Sequence, residues 1–252
     1  MLKNTFCHVP GVGIETEQSI WKSNILSWDE LCRNPSAIKV SQGRAEHIAL
    51  HLQESLAAYN SGNFGYFAEK IPLKHHWRAY GDLKDKCCFL DIETTGLDKH
   101  RDEITMIGIY NGNESKIFIN GRNLDQFHKE LLKYPLIVTF NGRCFDLPFI
   151  KNKFPDAKLD KLHIDLRFAM RALGYSGGLK SIERQLGIDR GDELYGVDGF
   201  EAVRLWYKYK RGDDNSLMLL KKYLKADIEN LKTLMEFAYD KLKENHFLSV
   251  IS

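Results

Sequence analysis

The stretch Cys87-Cys88-Phe89-Leu90-Asp91-Ile92-Glu93 (residues 87–93) decides the fold. It is an apolar run that ends in charge, a pattern that predicts a buried β-strand. Side chains alternate between the two faces of a strand, so Asp91 and Glu93 point to the same side. Two carboxylates held this close raise each other's pKa, and at neutral pH a divalent cation is the expected means of neutralising them.

The ligand chemistry at this strand favours a hard ion. Asp91 and Glu93 offer carboxylate oxygens, and no His or Cys stands near them at metal-ligand spacing. Oxygen ligands suit Mg²⁺ or Mn²⁺, whereas nitrogen and sulfur ligands suit Zn²⁺. We therefore expect Mg²⁺ or Mn²⁺ as the cofactor.

The residues after this strand predict a mixed-sheet α/β layout, in which strands alternate with helices. The hairpin signal Asn111-Gly112-Asn113 joins two strands, and Pro135 separates a helix from a strand. Apolar residues at spacings of three and four give the last helix one buried face. The predicted elements are strands 103–110 and 115–120, a helix 124–134, a strand 136–140, a helix 145–153, a short strand 162–164 and further helices, the last covering 217–235.

Helical patterns and loops dominate the sequence before this strand, and this change of pattern predicts a separate domain. Residues 1–80 are expected to form a small, mainly helical region, and residues 81–252 the α/β domain. Ser27 is expected to cap a short helix. The turn Gly11-Val12-Gly13 is similar to the hairpin of helix-hairpin-helix DNA-binding motifs, and a plain turn at the start of a helix is the alternative.

The overall composition is that of a globular, water-soluble protein. The 252 residues are 43% hydrophobic and 28% charged, and 36 basic against 34 acidic residues leave a net charge of +2. This balance excludes a polycation that coats nucleic acid nonspecifically. No apolar stretch reaches the ~18 residues that span a bilayer, no secretory signal is present, and five cysteines without a C-x-x-C pair predict reduced thiols. We therefore expect a cytoplasmic protein without a membrane partner.

Two further acids extend the pair on the first strand. Asp146 follows the strand 136–140, and if that strand lies parallel beside the first, Asp146 begins a helix close to Asp91. Tyr223 stands four residues before Asp227, so the two share one face of the last helix. Each feature alone has an ordinary structural explanation, as a solvated strand edge, a helix cap or a core tyrosine. Their combination predicts a site.

These segments together resemble the three motifs of the DEDD 3′–5′ exonucleases of the ribonuclease H-like superfamily. The spacing of Tyr223 and Asp227 is similar to that of the DEDDy subtype, and further segments resemble its YprB-like branch. The resemblance spans roughly 85–240 and implies a ribonuclease H-like mixed five-stranded sheet flanked by helices, with the second strand antiparallel to the others. The segments are Asp91-Ile92-Glu93-Thr94-Thr95-Gly96-Leu97, Asn141-x-x-x-Phe145-Asp146 and Tyr223-x-x-x-Asp227, then Ile164-Asp165-Leu166, Gly178 to Glu183, Leu186-Gly187-Ile188 and Ala202 to Trp206.

The resemblance also implies a role for each acid. Asp91 would bridge two divalent ions, Glu93 and Asp227 would complete the first, and Asp146 would hold the second partly through water. Tyr223 would orient the water that attacks the phosphodiester.

The same resemblance assigns the residues that hold the end of the strand. Backbone groups of the turn that begins with Thr94 and Thr95, and the side chain of Leu97, would contact the terminal nucleotide. Asn141 would help to place it. For Leu97 and Asn141, ordinary loop packing and a turn role are the alternatives.

A basic segment predicts where a polyanion could lie. The segment 204–225 contains seven basic residues, among them Lys208, Lys210 and Arg211, but only two acidic ones. Aromatic residues are interleaved with them. This composition suits phosphate attraction combined with base stacking. A solvated helix face with its aromatic residues in the core is the alternative.

The predicted function is a metal-dependent 3′–5′ exonuclease acting on single-stranded ends, with DNA favoured over RNA. The resemblance points to DNA repair and to a helicase or repair protein as partner. The alternatives are an RNA-processing exoribonuclease, an internal cutter of RNA/DNA hybrids, and a noncatalytic nucleic-acid-binding module with the same fold. A binding module has no physical need to concentrate negative charge where phosphate must sit, so the acids favour the enzyme.

Overall fold

The computed structural model describes residues 1–189 and 199–252, which fold into two compact units. The first unit comprises Met1–Lys84, Asp160–His163 and Tyr239–Ser252, and the second comprises Asp85–Leu159 and Ile164–Ala238. The division of the chain into domains 1–80 and 81–252 stays a prediction. None of the helices in the described ranges is both long and apolar enough to cross a membrane.

The secondary structure of the described residues combines helices with one group of strands. The helices are, in chain order, α1 (Ile14–Lys22), α2 (Trp28–Arg33), α3 (Gln42–Asn60), α4 (Gly65–Lys70), α5 (Tyr80–Leu83), α6 (Phe127–Leu131), α7 (Asp146–Lys153), α8 (Leu166–Ala172), α9 (Leu179–Gln185), α10 (Gly199–Lys210), α11 (Asp214–Lys243) and α12 (Ser249–Ile251). The strands are β1 (Cys87–Thr94), β2 (Ile104–Tyr110), β3 (Ser115–Ile119), β4 (Leu136–Thr139) and β5 (Leu162–Asp165).

The strands form one mixed sheet, as the resemblance implied. Within the described part of the chain the sheet has five strands in the order β3-β2-β1-β4-β5. Strand β2 runs antiparallel to β1 and β3, and β4 runs parallel to β1, with Phe89 opposite Val138. This is the ribonuclease H-like arrangement, and it places the carboxyl ends of β1 and β4 side by side.

The alternation of side chains along β1 separates a core face from the acids. Leu90 and Ile92 are buried in a hydrophobic cluster with residues of α6 and α7. Burying a side chain of this size stabilises the fold by about 1.5–3 kcal/mol. On β2, Met106 belongs to a second cluster, built with residues of α10 and α11. The period of two therefore directs Asp91 away from the first cluster, as predicted.

Gly108 on β2 allows α11 to approach the sheet closely. It is the register partner of Asp91. A Cβ atom at position 108 would lie 3.0 Å from Leu224 Cγ and 3.1 Å from Ile228 Cγ2, both on α11. Since Asp227 lies between these two residues in the helix, the missing side chain helps to set how near Asp227 comes to Asp91.

Most predicted elements are present, with shifted ends. The predicted helix 124–134 is shorter, because a 3₁₀ turn Leu124–Gln126 precedes α6, and Pro135 disfavours the helical conformation in the residue before it. Helix α11 is longer than predicted at both ends: it begins at the polar residue Asp214, and its buried face continues past Met235 through Ala238 and Leu242. Asp213 precedes α11, and its carboxylate accepts hydrogen bonds from the backbone amides of Asn215 and Ser216, at 3.1 and 3.4 Å.

The first unit contains the Gly-x-Gly turn and a buried ion pair. Helix α1 begins directly after Gly13, so the turn stands at the start of a helix. Arg78 Nη1 donates to both carboxylate oxygens of Glu17, at 2.7 and 2.8 Å, and the two side chains are almost fully buried. The Glu17 carboxylate therefore points into the interior of the first unit and is paired there with Arg78. Phosphate binding by this turn stays a prediction.

The cap of α2 matches its prediction. The Ser27 side chain accepts from the backbone amide of Glu30, and the Glu30 carboxylate accepts from the backbone amide of Ser27. This reciprocal arrangement is a capping box, which satisfies amides that would otherwise lack an acceptor at the start of the helix.

Candidate active site

Three predicted carboxylates come together at the end of β1. One oxygen each from Asp91, Glu93 and Asp227 lies within 4.8 Å of the others. Asp91 is half-buried, whereas Glu93 and Asp227 are 9% and 4% exposed. Strand β1 supplies two of the groups and α11 the third. We call these three residues the carboxylate cluster.

Asp146 lies next to the cluster but outside it. It is the first residue of α7 and only 2% exposed. Its Oδ1 accepts a hydrogen bond of 3.1 Å from the backbone amide of Ile92, the residue between Asp91 and Glu93. The parallel pairing of β1 and β4 thus brings Asp146 to the strand that carries the pair, as the sequence predicted.

Burial and repulsion by neighbouring carboxylates favour the protonated forms of Glu93 and Asp146. The pKa of Glu93 is raised well above its ordinary value by burial, then by Asp227 and Asp146, while Lys180 opposes the rise. Burial raises the pKa of Asp146 to about 7, and Asp165 and Asp227 contribute to the rise. A site of this kind gains from a cation that replaces the protons. The all-oxygen donors fit Mg²⁺ or Mn²⁺.

Tyr223 accompanies Asp227 on α11, one turn earlier, and its side chain is 6% exposed. The Lys180 ammonium lies 4.6 Å from the centre of its ring. Both residues line a cleft of about 850 Å³ together with the carboxylate cluster. The tyrosine is therefore partly a core residue, yet it borders the same cavity as the acids.

The turn after β1 forms another wall of this cleft. Thr94 Oγ1 donates to the carbonyl of Gly96 at 2.5 Å, and Thr95 Oγ1 accepts from the backbone amide of Glu103 at 2.9 Å. These bonds hold the turn in one conformation. Leu97 at its tip is 81% exposed and lines the cleft, as do Thr94 and Thr95. An exposed leucine at a cavity wall is available to contact an apolar surface such as a base.

Asn141 lies beside the carboxylate cleft, and its predicted contact with the terminal nucleotide stays a prediction. It does not line the carboxylate cleft but a neighbouring cavity. Its backbone is in the left-handed region, with φ of 64°. Its backbone amide donates to Asp165 Oδ1 at 2.7 Å, and its side-chain Oδ1 accepts from Arg167 Nη1 at 2.6 Å.

Asp165 fixes the loop that leads to Asp146. Its carboxylate accepts three backbone amides, from Asn141 at 2.7 Å and from Arg143 and Arg167 at 3.1 Å. Asp165 is the N-cap of α8, since its side chain accepts from the backbone amide of Arg167. The two bonds to the loop were not predicted, because they join segments that only the pairing of β4 and β5 brings together.

Three residues of the predicted basic segment lie outside the cleft. Lys208, Lys210 and Arg211 are exposed at the end of α10, and none of them lines the cleft. Trp206 is in the core at 5% exposure, whereas Tyr207 is 50% exposed. The alternative of an aromatic residue packed in the core thus holds for Trp206. Contact of the three basic residues with a polyanion stays a prediction.

Comparison with known proteins assigns the family. A family model described as the RNase_H superfamily matches residues 88–239, which is more than half of the chain. The chain belongs to the RNase_H superfamily. The uncharacterized protein MJ0365 of Methanocaldococcus jannaschii is 29% identical over 170 residues, which cover 60% of this chain and 94% of that protein. Its name carries no activity.

Two solved structures are similar to this chain, at a low level of sequence identity. Brucella melitensis NrnC has a TM-score of 0.47 at 19% identity, over 68% of this chain and 81% of NrnC. The family B DNA polymerase of Pyrobaculum calidifontis has a TM-score of 0.48 at 18% identity, over 62% of this chain and 24% of the polymerase. TM-scores below 0.5 are too low to transfer an activity or a substrate to this chain.

The cleft of this RNase_H superfamily chain contains residues whose place in it was not predicted from sequence. Lys180, Phe200 and Arg204 line it, and Phe200 is 80% exposed. Lys180 follows the glycine pair 177–178 and Arg204 belongs to the basic segment, but neither spacing pointed to the cleft. A large aromatic residue directly after Gly199 was the one local signal for Phe200. These residues add positive charge and apolar surface to the cleft that the carboxylate cluster lines.

Proposed function

We propose that the chain is a metal-dependent 3′–5′ exonuclease of the DEDDy type, in the YprB-like branch, and that it hydrolyses phosphodiester bonds at single-stranded ends. The observation that carries this proposal is the carboxylate cluster, with its oxygens within 4.8 Å of one another on the wall of a cleft that Tyr223 also lines. A noncatalytic binder would not concentrate acids in the cavity where phosphate must lie.

The proposed metal sites follow from the donor atoms. Asp91, Glu93 and Asp227 would hold one divalent ion, and Asp146 would contribute to a second together with Asp91. Two such ions, when bound, neutralise the charge on the attacking and leaving oxygens of a phosphodiester. The buried position of Glu93 and Asp227 keeps bulk water from weakening these interactions.

The protein's own groups would orient the reactants. The Tyr223 hydroxyl, one helical turn before Asp227, would hold the attacking water in line with the bond to be broken. The exposed side chain of Leu97 would pack against the terminal base, with backbone groups of the Thr94–Thr95 turn on the sugar and phosphate. Lys180 and Arg204 at the cleft wall would attract the phosphate.

The proposed substrate is single-stranded DNA, with RNA as the alternative. DNA repair is the proposed pathway, and a helicase or another repair protein is the proposed partner, since unwinding produces single-stranded ends. An RNA-processing exoribonuclease would use the same carboxylates and the same cleft, so the preference for one sugar is decided by experiment.

Product analysis tests the proposal. Single-stranded DNA, single-stranded RNA and duplexes labelled at either end are incubated with Mg²⁺, Mn²⁺ or a chelator. We expect mononucleotides released from the 3′ end with either metal and intact strands in chelator. Asp91→Asn should abolish release, and Asp156→Asn, which removes an acid on the exposed surface, should not.

Other products would contradict the proposal in distinguishable ways. Internal fragments from an RNA/DNA hybrid would indicate an internal cutter. Intact strands with a mobility shift in the presence of both metals would indicate a noncatalytic binder. Faster digestion of RNA than of DNA would leave the exonuclease mechanism in place and assign the chain to RNA processing.

A further inference from the structure

A second cavity borders the carboxylate cleft. It has a volume of about 650 Å³ and shares three lining residues with the cleft, namely Phe140, Gly178 and Leu179. A strand that leaves the cleft past these residues would therefore enter the second cavity directly. Gly178 presents only backbone at this boundary, so no side chain from that position narrows the passage.

The second cavity has the opposite charge from the cleft. Arg167 and Arg171 line it, four residues apart on α8 and hence on one helical face. No carboxylate is among the lining residues that the structure describes. Arg167 is held in place by Asn141, whose Oδ1 accepts from Nη1 at 2.6 Å. We call this site the arginine cavity.

We propose that the arginine cavity binds the phosphates of the nucleic-acid strand on the 5′ side of the bond that is cleaved. The proposal rests on the proposed function, since it takes the 3′ end to lie in the carboxylate cleft. The carboxylate cluster repels phosphate unless cations are bound, so attraction for the strand must come from elsewhere. Two guanidinium groups next to the cleft supply it, because guanidinium binds phosphate oxygens with two parallel hydrogen bonds.

The arrangement predicts a dependence on strand length. A dinucleotide with its 3′ end in the cleft has few phosphates to offer the arginine cavity, whereas a decanucleotide crosses it. Arg171 should therefore contribute more to the binding of the longer strand. Arg171 is the better position to test, since Arg167 also supports Asn141.

The kinetic test compares Arg171→Ala with two matched variants. Arg171→Lys keeps the charge, and Arg184→Ala removes a charge from an exposed arginine that lines neither cavity. With Mn²⁺, we expect Arg171→Ala to raise KM for a single-stranded decanucleotide at least fivefold more than KM for a dinucleotide, with kcat for the two substrates changed by the same factor. Arg171→Lys should recover most of the loss, and Arg184→Ala should show no length dependence.

A binding test separates this proposal from the proposed function. The affinity for a fluorescent decanucleotide is measured by anisotropy in chelator, where no hydrolysis is expected, at several salt concentrations. Arg171→Ala should weaken binding at least fivefold and lower the slope of log K against log salt by about 0.7. If the wild-type protein cleaves no strand but Arg171→Ala still weakens binding in this way, the exonuclease proposal is wrong and phosphate binding by the arginine cavity stands. If the wild-type protein cleaves strands and Arg171→Ala binds the decanucleotide like wild type, phosphate binding by the arginine cavity is excluded. The same holds if Arg171→Ala raises KM for the decanucleotide and the dinucleotide by the same factor.

Discussion

Replacing Asp146 by Asn should stabilise the metal-free protein, and the gain should grow with pH. Burial raises the pKa of Asp146 from 3.8 to about 7 in the fold. Between these values the folded state holds a proton that the unfolded chain has lost, so stability falls as the pH rises. Asn cannot ionise, and its Oδ1 can still accept from the backbone amide of Ile92.

The size of the effect follows from the pKa difference. A difference of about three pKa units, at about 1.4 kcal/mol each, makes Asp146 cost roughly 4 kcal/mol at pH 8, where it is mostly ionised in the fold. At pH 5 the cost is roughly 1.5 kcal/mol, because the fold must take up a proton that the unfolded chain has lost. For a protein of this size 1 kcal/mol corresponds to about 2–4 °C in Tm. The gain from Asp146→Asn should therefore be about 5–10 °C larger at pH 8 than at pH 5.

Thermal unfolding followed by circular dichroism in chelator measures this difference, with Asp156→Asn as the control for loss of an exposed charge. A gain in Tm of the same size at both pH values would show that ionisation of Asp146 does not destabilise the fold. A loss of stability at pH 8 would refute the reasoning, because it would mean that the ionised carboxylate is favoured in the fold. The stabilised variant should hydrolyse nucleic acid more slowly, since the charge that costs stability is the one that would bind the cation.

Three further outcomes are expected. Tyr223→Phe should slow hydrolysis by roughly two orders of magnitude while leaving the Mn²⁺-induced rise in Tm intact, because the lost hydroxyl orients water and does not ligate. Asp165→Asn should lower the free energy of unfolding by about 2 kcal/mol in urea titrations, since one carboxylate accepts three backbone amides. Replacing Lys208, Lys210 and Arg211 together by Ala should lower the salt slope of single-strand binding by about 2 if all three contact phosphate, and an unchanged slope would assign them to the solvated surface.

The part of the site that could be predicted from sequence is the part with local periodicity. Asp91 and Glu93 share a strand face because the period there is two, and Tyr223 and Asp227 share a helix face because the spacing is four. The parallel neighbour strand that brings Asp146 to Ile92 was stated as a condition, and the pairing of β1 with β4 meets it. These inferences need only the geometry of single elements and one pairing.

The rest depends on contacts between segments that are distant in sequence. Nothing in the spacing of Lys180 or Phe200 indicates that α9 and α10 border the same cleft as β1. The hydrogen bonds that Asn141 makes with Asp165 and Arg167, and its place in a second cavity, join segments that no spacing links. Such contacts depend on the position of β5 beside β4 in the sheet, which no local pattern encodes.

The glycine at position 108 limits which substitutions the chain tolerates there, because it helps to set the distance between Asp91 and Asp227, the proposed metal-binding residues. A methyl group there would require Leu224 or Ile228 to give way by a few tenths of an ångström, and both stand beside Asp227 on α11. A residue outside the proposed metal and substrate contacts thus sets the spacing between strand β2 and helix α11. A homologous chain with alanine at position 108 should carry a smaller side chain at position 224 or 228 to make room for it. Such a pair of substitutions would leave Asp91, Glu93, Asp146, Tyr223 and Asp227 unchanged.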